Sequence, residues 1–453
     1  MSKRIVICCD GTWNKPASEE DERVVPSNVL KLVRAVLPRD ADAGVEQVVY
    51  YDAGVGTGTF GIIDKYVGGA TGLGISRNIQ QAYRFLANNY VEGDEVYFFG
   101  FSRGAYTVRS LSGLLDTVGL LDKSDLRHVH RLYAYYRTRP DKRSQSKYHE
   151  LVNSLERRTI DITFMGVWDT VGALGVPTPM LGWLSRKLWV GFHDTGLSGI
   201  IRNAYQALAI DERRRPFAPA IWTRKPEGAN VRQVWFVGSH RNVGGGYRDD
   251  GLSDVAFMWL ANRARDCGLA FSPEYLSARV QPNPMAEMED SFTGIYRALG
   301  KLGMSPLVRK IADLQTSGEM IHESVISRLR MPELDYRPEN LIPEGANVDG
   351  LLREEDGHLV MDVHGAAIPV FKERQGTRIR PSQPEARLRI EGSGEQRCEI
   401  IDLNPGERGG ARLRLEQPLE EGMEAYLEGD GIGVKTVRVV WSSEGVMGVH
   451  FAA

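Results

Sequence analysis

Short apolar runs recur along the first half of the chain, and each ends in polar residues. Residues 5–9 lead into Asp10-Gly11-Thr12-Trp13-Asn14, residues 45–51 into Asp52, residues 95–100 into Ser102, residues 160–167 into Asp169 and residues 231–238 into His240. Short apolar runs of this kind read as strands. Residues 75–89 and 105–115 instead space their apolar positions for one face of a helix. Strands alternating with helices predict a mostly parallel sheet covered on both sides. In such sheets function gathers at the carboxyl ends of the strands, where Asp10, Asp52, Ser102, Asp169 and His240 stand.

Helical insertions are predicted between these strands, at 126–137 and 254–267, with residues 270–335 mixed and mostly helical. Residues 179–192 are aromatic and flanked by cations, a pattern that suits either a buried cap helix or peripheral contact with a lipid surface. Residues 342–372 lack clear periodicity and read as a linker. Beyond them the period changes to two: 386–390, 398–403, 411–415, 424–427, 436–441 and 448–451 read as the strands of a small all-β module.

Composition narrows the class without deciding it. A chain of 453 residues calls for two or three domains, and 42% hydrophobic with 25% charged residues is ordinary for a globular protein. A net charge of -3 offers no general attraction to nucleic acid, and no nucleic-acid partner is expected. Cys8, Cys9, Cys267 and Cys398 have no metal-type spacing and read as thiols of a reducing compartment. The first residues run straight into a strand without a cleavable leader pattern. The expectation is a protein that is cytoplasmic in the producing cell and leaves it, if at all, by a route independent of a signal peptide.

The chemistry centres on Gly100-Phe101-Ser102-Arg103-Gly104. With 49 glycines in the chain, a G-x-S-x-G arises by chance roughly 0.3 times per chain, so the letters alone decide little. Their context decides more: a strand before, a helix after, and glycines where a Cβ would crowd the turn make a nucleophile elbow. A serine hydroxyl needs a base, and the base needs an acid to orient it. On this type of sheet the order is serine, acid, histidine. Asp169 is then the acid and His240 the base. His128, His130 and His149 precede the acid, His193 lies in an insertion and His322 in a late helix. The backbone N–H of Arg103 and of the Gly11–Thr12 loop would form the oxyanion hole. Asp10 and Asp52 as metal ligands form the weaker alternative, since no further ligand spacing accompanies them; no metal and no catalytic cofactor is expected.

Longer motifs point the same way. D-G-T-W-N at 10–14, G-G-A-T-G-L-G at 68–74, R-N-I-Q-Q-A-Y at 77–83, G-D-E-V-Y-F-F-G-F-S-R-G-A-Y at 93–106, G-V-W-D-T-V at 166–171, A-L-A-I-D-E at 207–212, H-R-N-V-G-G-G-Y at 240–247 and Y-R-P-E-N-L at 336–341 together resemble the α/β-hydrolase family that contains the type VI secretion lipase effectors, the Tle group. The resemblance covers residues 1–341. It implies a Ser102–Asp169–His240 hydrolase of ester substrates, phospholipids above all, with secretion components or an immunity protein as partners. One departure is Asn242, where the family commonly has Asp.

The C-terminal module resembles the PilZ domain. Arg374-Gln-Gly-Thr-Arg378, then Asp402 and Asn404 ahead of Gly409-Gly410, then Val439-Val440-Trp441 carry the likeness. It implies cyclic di-GMP as a regulatory ligand held by Arg374, Arg378, Asp402 and Asn404, since arginines pair with phosphates and stack on guanine. Glu407 and an apparent insertion before the glycines depart from the pattern. The expected organisation is a hydrolase domain at 1–341, a linker at 342–372 and a PilZ-like β-barrel at 373–453. The alternative function is a cyclic di-GMP-responsive binding protein on an inactive hydrolase scaffold.

Overall fold

The computed structural model describes residues 2–11, 25–54, 72–172, 196–293, 296–297, 305–311, 318–355, 358–373, 385–390, 394–404, 410–415, 417, 419–420, 422–429, 433–443 and 446–451. The chain divides into two compact units, Met1–Phe371 and Lys372–Ala453.

In the first unit the strands are β1 (Arg4–Cys9), β2 (Arg39–Asp40), β3 (Val45–Asp52), β4 (Glu95–Phe101), β5 (Leu120–Leu121), β6 (Arg157–Arg158), β7 (Phe164–Trp168), β8 (Asn203–Ala209), β9 (Asn230–Phe236), β10 (Glu319–His322), β11 (Leu352–Glu355), β12 (His358–Val363) and β13 (Ala366–Phe371). All but the small β5–β6 pair join one sheet in the order β11-β12-β13-β10-β9-β8-β7-β4-β1-β3-β2. From β3 through β1, β4, β7, β8, β9 and β10 to β13 every pairing is parallel; the pairings of β2 with β3, β11 with β12 and β12 with β13 are antiparallel. This is an α/β fold with a mostly parallel sheet and helical insertions.

The central strands are apolar throughout because both faces are covered. In β1, Ile5, Ile7 and Cys9 pack with Ile79, Leu86, Leu111 and Leu114. Of the first three helices, α1 (Asn28–Ala35), α2 (Gly72–Asn89) and α3 (Arg103–Val118), these partners lie on α2 and α3. Val6 and Cys8 turn to the opposite face, against Leu32 of α1 and Trp259 and Leu260. The insertion after α3 supplies α4 (Val129–Tyr136) and α5 (His149–Ser154); α6 (His240–Gly244), α7 (Gly251–Asp266), α8 (Pro273–Arg279) and α9 (Glu323–Leu329) follow. Among the described residues no helix is long and apolar enough to cross a membrane.

Three expectations are corrected here. Residues 342–372 are not a linker: β11, β12 and β13 extend the main sheet, and Met361, Val363, Ile368 and Val370 are buried in it. A strand absent from the sequence reading, β8, separates β7 from β9. The described part of 270–335 holds α8, β10, α9, two helical residues at 296–297 and short turns, with most of its residues outside helices. The aromatic segment 179–192 lies outside the described residues.

The second unit is a closed antiparallel barrel of β14 (Glu385–Ile390), β15 (Gly394–Asn404), β16 (Gly410–Arg414), β17 (Glu424–Gly429), β18 (Gly433–Ser443) and β19 (Val446–Phe451), ordered β14-β15-β16-β19-β18-β17. Here the strands do alternate. Ala386 and Leu388 are buried while Arg387 and Arg389 are exposed, as one solvated face demands.

Candidate active site

The carboxyl end of β4 meets α3 at Ser102, whose backbone sits at φ 57° and ψ -121°. A non-glycine residue held there costs about 1–3 kcal/mol and persists only when its surroundings enforce it. The enforcement is visible. A Cβ on Gly100 would stand 2.6 Å from the Ala105 backbone, and one on Gly104 would overlap the Cys9 carbonyl. The turn therefore closes only with glycine at both places. Ser102 is the N-cap of α3, yet its side chain caps nothing. Its hydroxyl is left for another partner.

That partner is His240. Nε2 of its ring lies 2.8 Å from Ser102 Oγ, and Nδ1 lies 2.6 Å from Asp169 Oδ2. The carboxylate requires Nδ1 to carry the proton and donate it, which leaves Nε2 as acceptor for the serine hydroxyl. His240 opens α6, and Ser239 before it is the N-cap. Phe101 packs against the imidazole at 4.6 Å between centroids and Phe217 meets it edge-on at 5.0 Å. All three polar groups are buried, at 8% exposure for Ser102, 4% for His240 and 0% for Asp169.

Asp169 follows β7, itself at φ 39°. Its Oδ1 accepts from the Ala209 N–H at 3.0 Å and from Arg309 Nη1 at 2.7 Å; Oδ2 accepts from Arg309 Nη2 at 3.0 Å besides His240. Burial pushes this carboxyl up, but the Arg309 charge and the His240 bond outweigh it and hold it below the usual carboxylate range. Burial likewise pulls His240 below the ordinary histidine value, only partly offset by Asp169 and Glu212.

The oxyanion candidates divide. Arg103 is the first residue of α3, which sets its N–H at the positive end of the helix, next to the nucleophile. Gly11 is close, since a Cβ on it would lie 3.3 Å from Ser102 Cβ. Its N–H, however, donates to Asp10 Oδ1 at 2.6 Å and is not turned to the nucleophile. Thr12 lies outside the described residues. Asp10 is engaged by Ser27 Oγ at 2.5 Å and Tyr51 OH at 3.0 Å as well, which makes it an organiser of its loop. Asp52 accepts from the Gly54 N–H at 2.9 Å. Asn242 Oδ1 accepts from the Ser239 N–H and hydroxyl at 3.1 and 2.9 Å, so this residue caps the helix that carries the histidine.

Sequence reasoning missed Arg309 and Glu212. Glu212 Oε2 accepts from the His240 N–H at 3.2 Å while Arg214 grips the same carboxylate through Nε and Nη2, both at 2.8 Å. A signal for Glu212 existed in A-L-A-I-D-E, and one for its supports in Y-R-P-E-N-L. Tyr336 OH donates to Asp211 Oδ2 at 2.8 Å, and Asn340 Nδ2 donates to the Ile210 carbonyl at 3.1 Å. Arg309 stands in no motif. Of the nucleotide-site candidates, Arg374 and Arg378 lie outside the described residues; Asp402 and Asn404 are on β15, where only the backbone is described.

Residues 3–263 match the family described as type VI secretion, phospholipase effector Tle1-like, catalytic domain. The chain belongs to this family. That description names a phospholipase effector's catalytic domain. Over 244 residues it is 27% identical to an uncharacterized protein of Saccharomyces cerevisiae; the match takes in 49% of this chain and 33% of the relative, so the chain spans about a third of that relative's length. Two solved structures are similar. One is an uncharacterized protein from Pseudomonas aeruginosa, 16% identical with a TM-score of 0.38, covering 62% of this chain and 49% of that one. The other is described as a "putative carboxylesterase" from Lactobacillus plantarum WCFS1, 12% identical with a TM-score of 0.28, covering 59% and 86%.

Proposed function

We propose that this chain is a serine hydrolase that cleaves carboxylic esters, with phospholipid acyl esters as the substrate class. The observation that carries the reading is the unbroken chain Ser102 Oγ, His240 Nε2, His240 Nδ1, Asp169 Oδ2, with links of 2.8 and 2.6 Å on a strained elbow. Ser102 Oγ attacks the ester carbonyl as His240 Nε2 takes its proton. Asp169 holds the imidazolium that forms. The oxyanion is met by the Arg103 N–H at the positive end of α3, with Thr12 as the remaining candidate for a second donor. The proton on Nε2 then passes to the leaving alkoxide. Water, deprotonated by the same nitrogen, releases the acid from the acyl-enzyme.

Membership of a phospholipase-effector family supports the lipid substrate. It also supports delivery by type VI secretion and an immunity protein as partner. The test is hydrolysis of mixed phospholipid vesicles read by mass spectrometry of the products. Wild type releases fatty acid and lysolipid; Ser102→Ala, folded by circular dichroism, falls by at least about 10³-fold. A Ser102→Ala protein with wild-type product yield ends the proposal.

A second reading concerns Lys372–Ala453. The closed six-stranded barrel and the PilZ-like elements around Arg374, Arg378, Asp402 and Asn404 support a cyclic di-GMP receptor that regulates or docks the hydrolase. Titration calorimetry with cyclic di-GMP tests it: binding that disappears in Arg374→Ala/Arg378→Ala supports it, and no heat with wild type rules it out.

A further inference from the structure

Arg309 is 1% exposed, and its guanidinium divides its bonds between the acid that orients His240 and two backbone carbonyls. Nη1 donates to Asp169 Oδ1 and to the Ala209 carbonyl, both at 2.7 Å. Nη2 donates to Asp169 Oδ2 at 3.0 Å and to the Phe217 carbonyl at 2.5 Å. One planar fork thus fixes the carboxylate to the end of β8 and to the residue whose ring edge walls the imidazole. The segment that brings it is itself tied down: Leu307 N–H donates to the Arg213 carbonyl at 2.7 Å, and Asn340 Nδ2 to the Arg309 carbonyl at 3.1 Å.

We infer that Arg309 is a positioning residue of the acid–base pair, aiming the Asp169 carboxylate at His240 Nδ1 and limiting how strongly that carboxylate stabilises a charged imidazole. The inference rests on the serine-hydrolase reading. Two features carry it. Every oxygen of Asp169 that could swing away is held by the fork, so Oδ2 has a single direction left for the histidine. The fork also sets a positive charge on the very oxygen that faces Nδ1. A lone carboxylate would raise the basicity of His240 fully, whereas one shared with a guanidinium does so less.

The other groups around the ring repeat this balance. Glu212 reaches the His240 N–H, but Arg214 is paired with it; among the described residues Ser102, Phe101 and Phe217 also touch the ring and carry no charge. Asp211, pushed up to about 6 by burial, accepts from the Gly238 N–H and from Tyr336 OH instead of an arginine. Both acids bonded to His240 therefore have their own arginine, and burial holds the imidazole below the ordinary histidine value. Lysine would keep the charge at Arg309 without the two-oxygen fork, which separates the two parts of the inference.

The experiment is the pH dependence of kcat and kcat/KM on a soluble short-chain p-nitrophenyl ester for wild type, Ser102→Ala, Arg309→Lys and Arg309→Met, with thermal melting of each. In wild type the acid limb of kcat/KM lies below the ordinary histidine value of about 6.5. Arg309→Met moves that limb up by about one pH unit and lowers kcat about 10²-fold with a smaller change in KM. Arg309→Lys leaves the limb near wild type and loses about tenfold in kcat. A folded Arg309→Met with wild-type kcat and limb overturns the inference. If that variant does not fold, a Lys variant with unchanged kcat overturns it instead. Activity surviving in Ser102→Ala overturns the serine reading and this inference with it. Loss in Ser102→Ala beside wild-type behaviour in both Arg309 variants removes the inference alone.

Discussion

At the carboxyl ends of β4, β7 and β9 the large unit buries Ser102, Asp169 and His240 together with Glu212 and Arg309. The barrel of Lys372–Ala453 closes instead over Leu388, Ile400, Leu413, Leu427, Val437 and Met447, and among its described residues no charged side chain is buried. Removing a charge from water costs several kcal/mol unless partners replace the water. The large unit bears that cost at one place and fills nearly every acceptor there, as chemistry that depends on shifted protonation requires. The barrel bears none of it. Its interior holds shape, so whatever it binds must meet its ends or its outer face.

The sharpest way to break this contrast is at the buried acid. Asp169→Asn should lower ester hydrolysis about 10⁴-fold, because the amide cannot stabilise the imidazolium and favours the wrong tautomer. The same change leaves the Arg309 charge unmatched and should cost about 3–5 kcal/mol in a denaturant titration. A mild effect on hydrolysis would mean that Asp169 does not orient the base, and a mild effect on stability that the Arg309 charge is not balanced by it.

Leu427, fully buried in the barrel, gives the opposite pattern. Leu427→Ala should cost about 2–5 kcal/mol in stability, through lost burial and the cavity left behind. Ester hydrolysis by the folded protein should stay at the wild-type rate. Loss of both together would break the division between the units.

The smallest effect is expected at Asn242. Its Oδ1 makes both capping bonds while its Nδ2 has no hydrogen-bond partner among the described residues. Asn242→Asp restores the residue commonly found in the family and keeps the acceptor, so hydrolysis at alkaline pH should change by less than about threefold. A larger change would show that a negative charge beside His240, rather than the cap, is what that position supplies.

Where local pattern carries the information, the sequence reading and the structure agree. The elbow at Ser102 is legible because a fully apolar strand, a turn bounded by Gly100 and Gly104 and a helix all lie within one short stretch. Asp169 and His240 were legible as the polar ends of apolar strands. β8 was not, because Asn-Ala-Tyr-Gln-Ala-Leu-Ala has little β-branched or aromatic content. It is a strand because β7 and β9 pair with both of its edges. The β12–β13 hairpin was read as linker because residues 342–372 lack clear periodicity; in the structure Pro369 faces Val360 within the hairpin.

Sequence alone thus determined the parallel α/β core, the separate β module and the chain order of Ser102, Asp169 and His240, the three side chains that meet in the structure. Only the tertiary structure decided that Asp10 and the Gly11 N–H serve each other, that Asn242 is a cap and that Arg309 holds the acid. For the first two, which join near neighbours, the packed turn decides which polar atoms face each other; for Arg309 the reason is range. Strand, turn and helix preferences act over a few residues and leave a periodic trace. Arg309 reaches Asp169 across 140 positions of sequence, through a contact that exists only once β7, β8 and the chain beyond them are packed together.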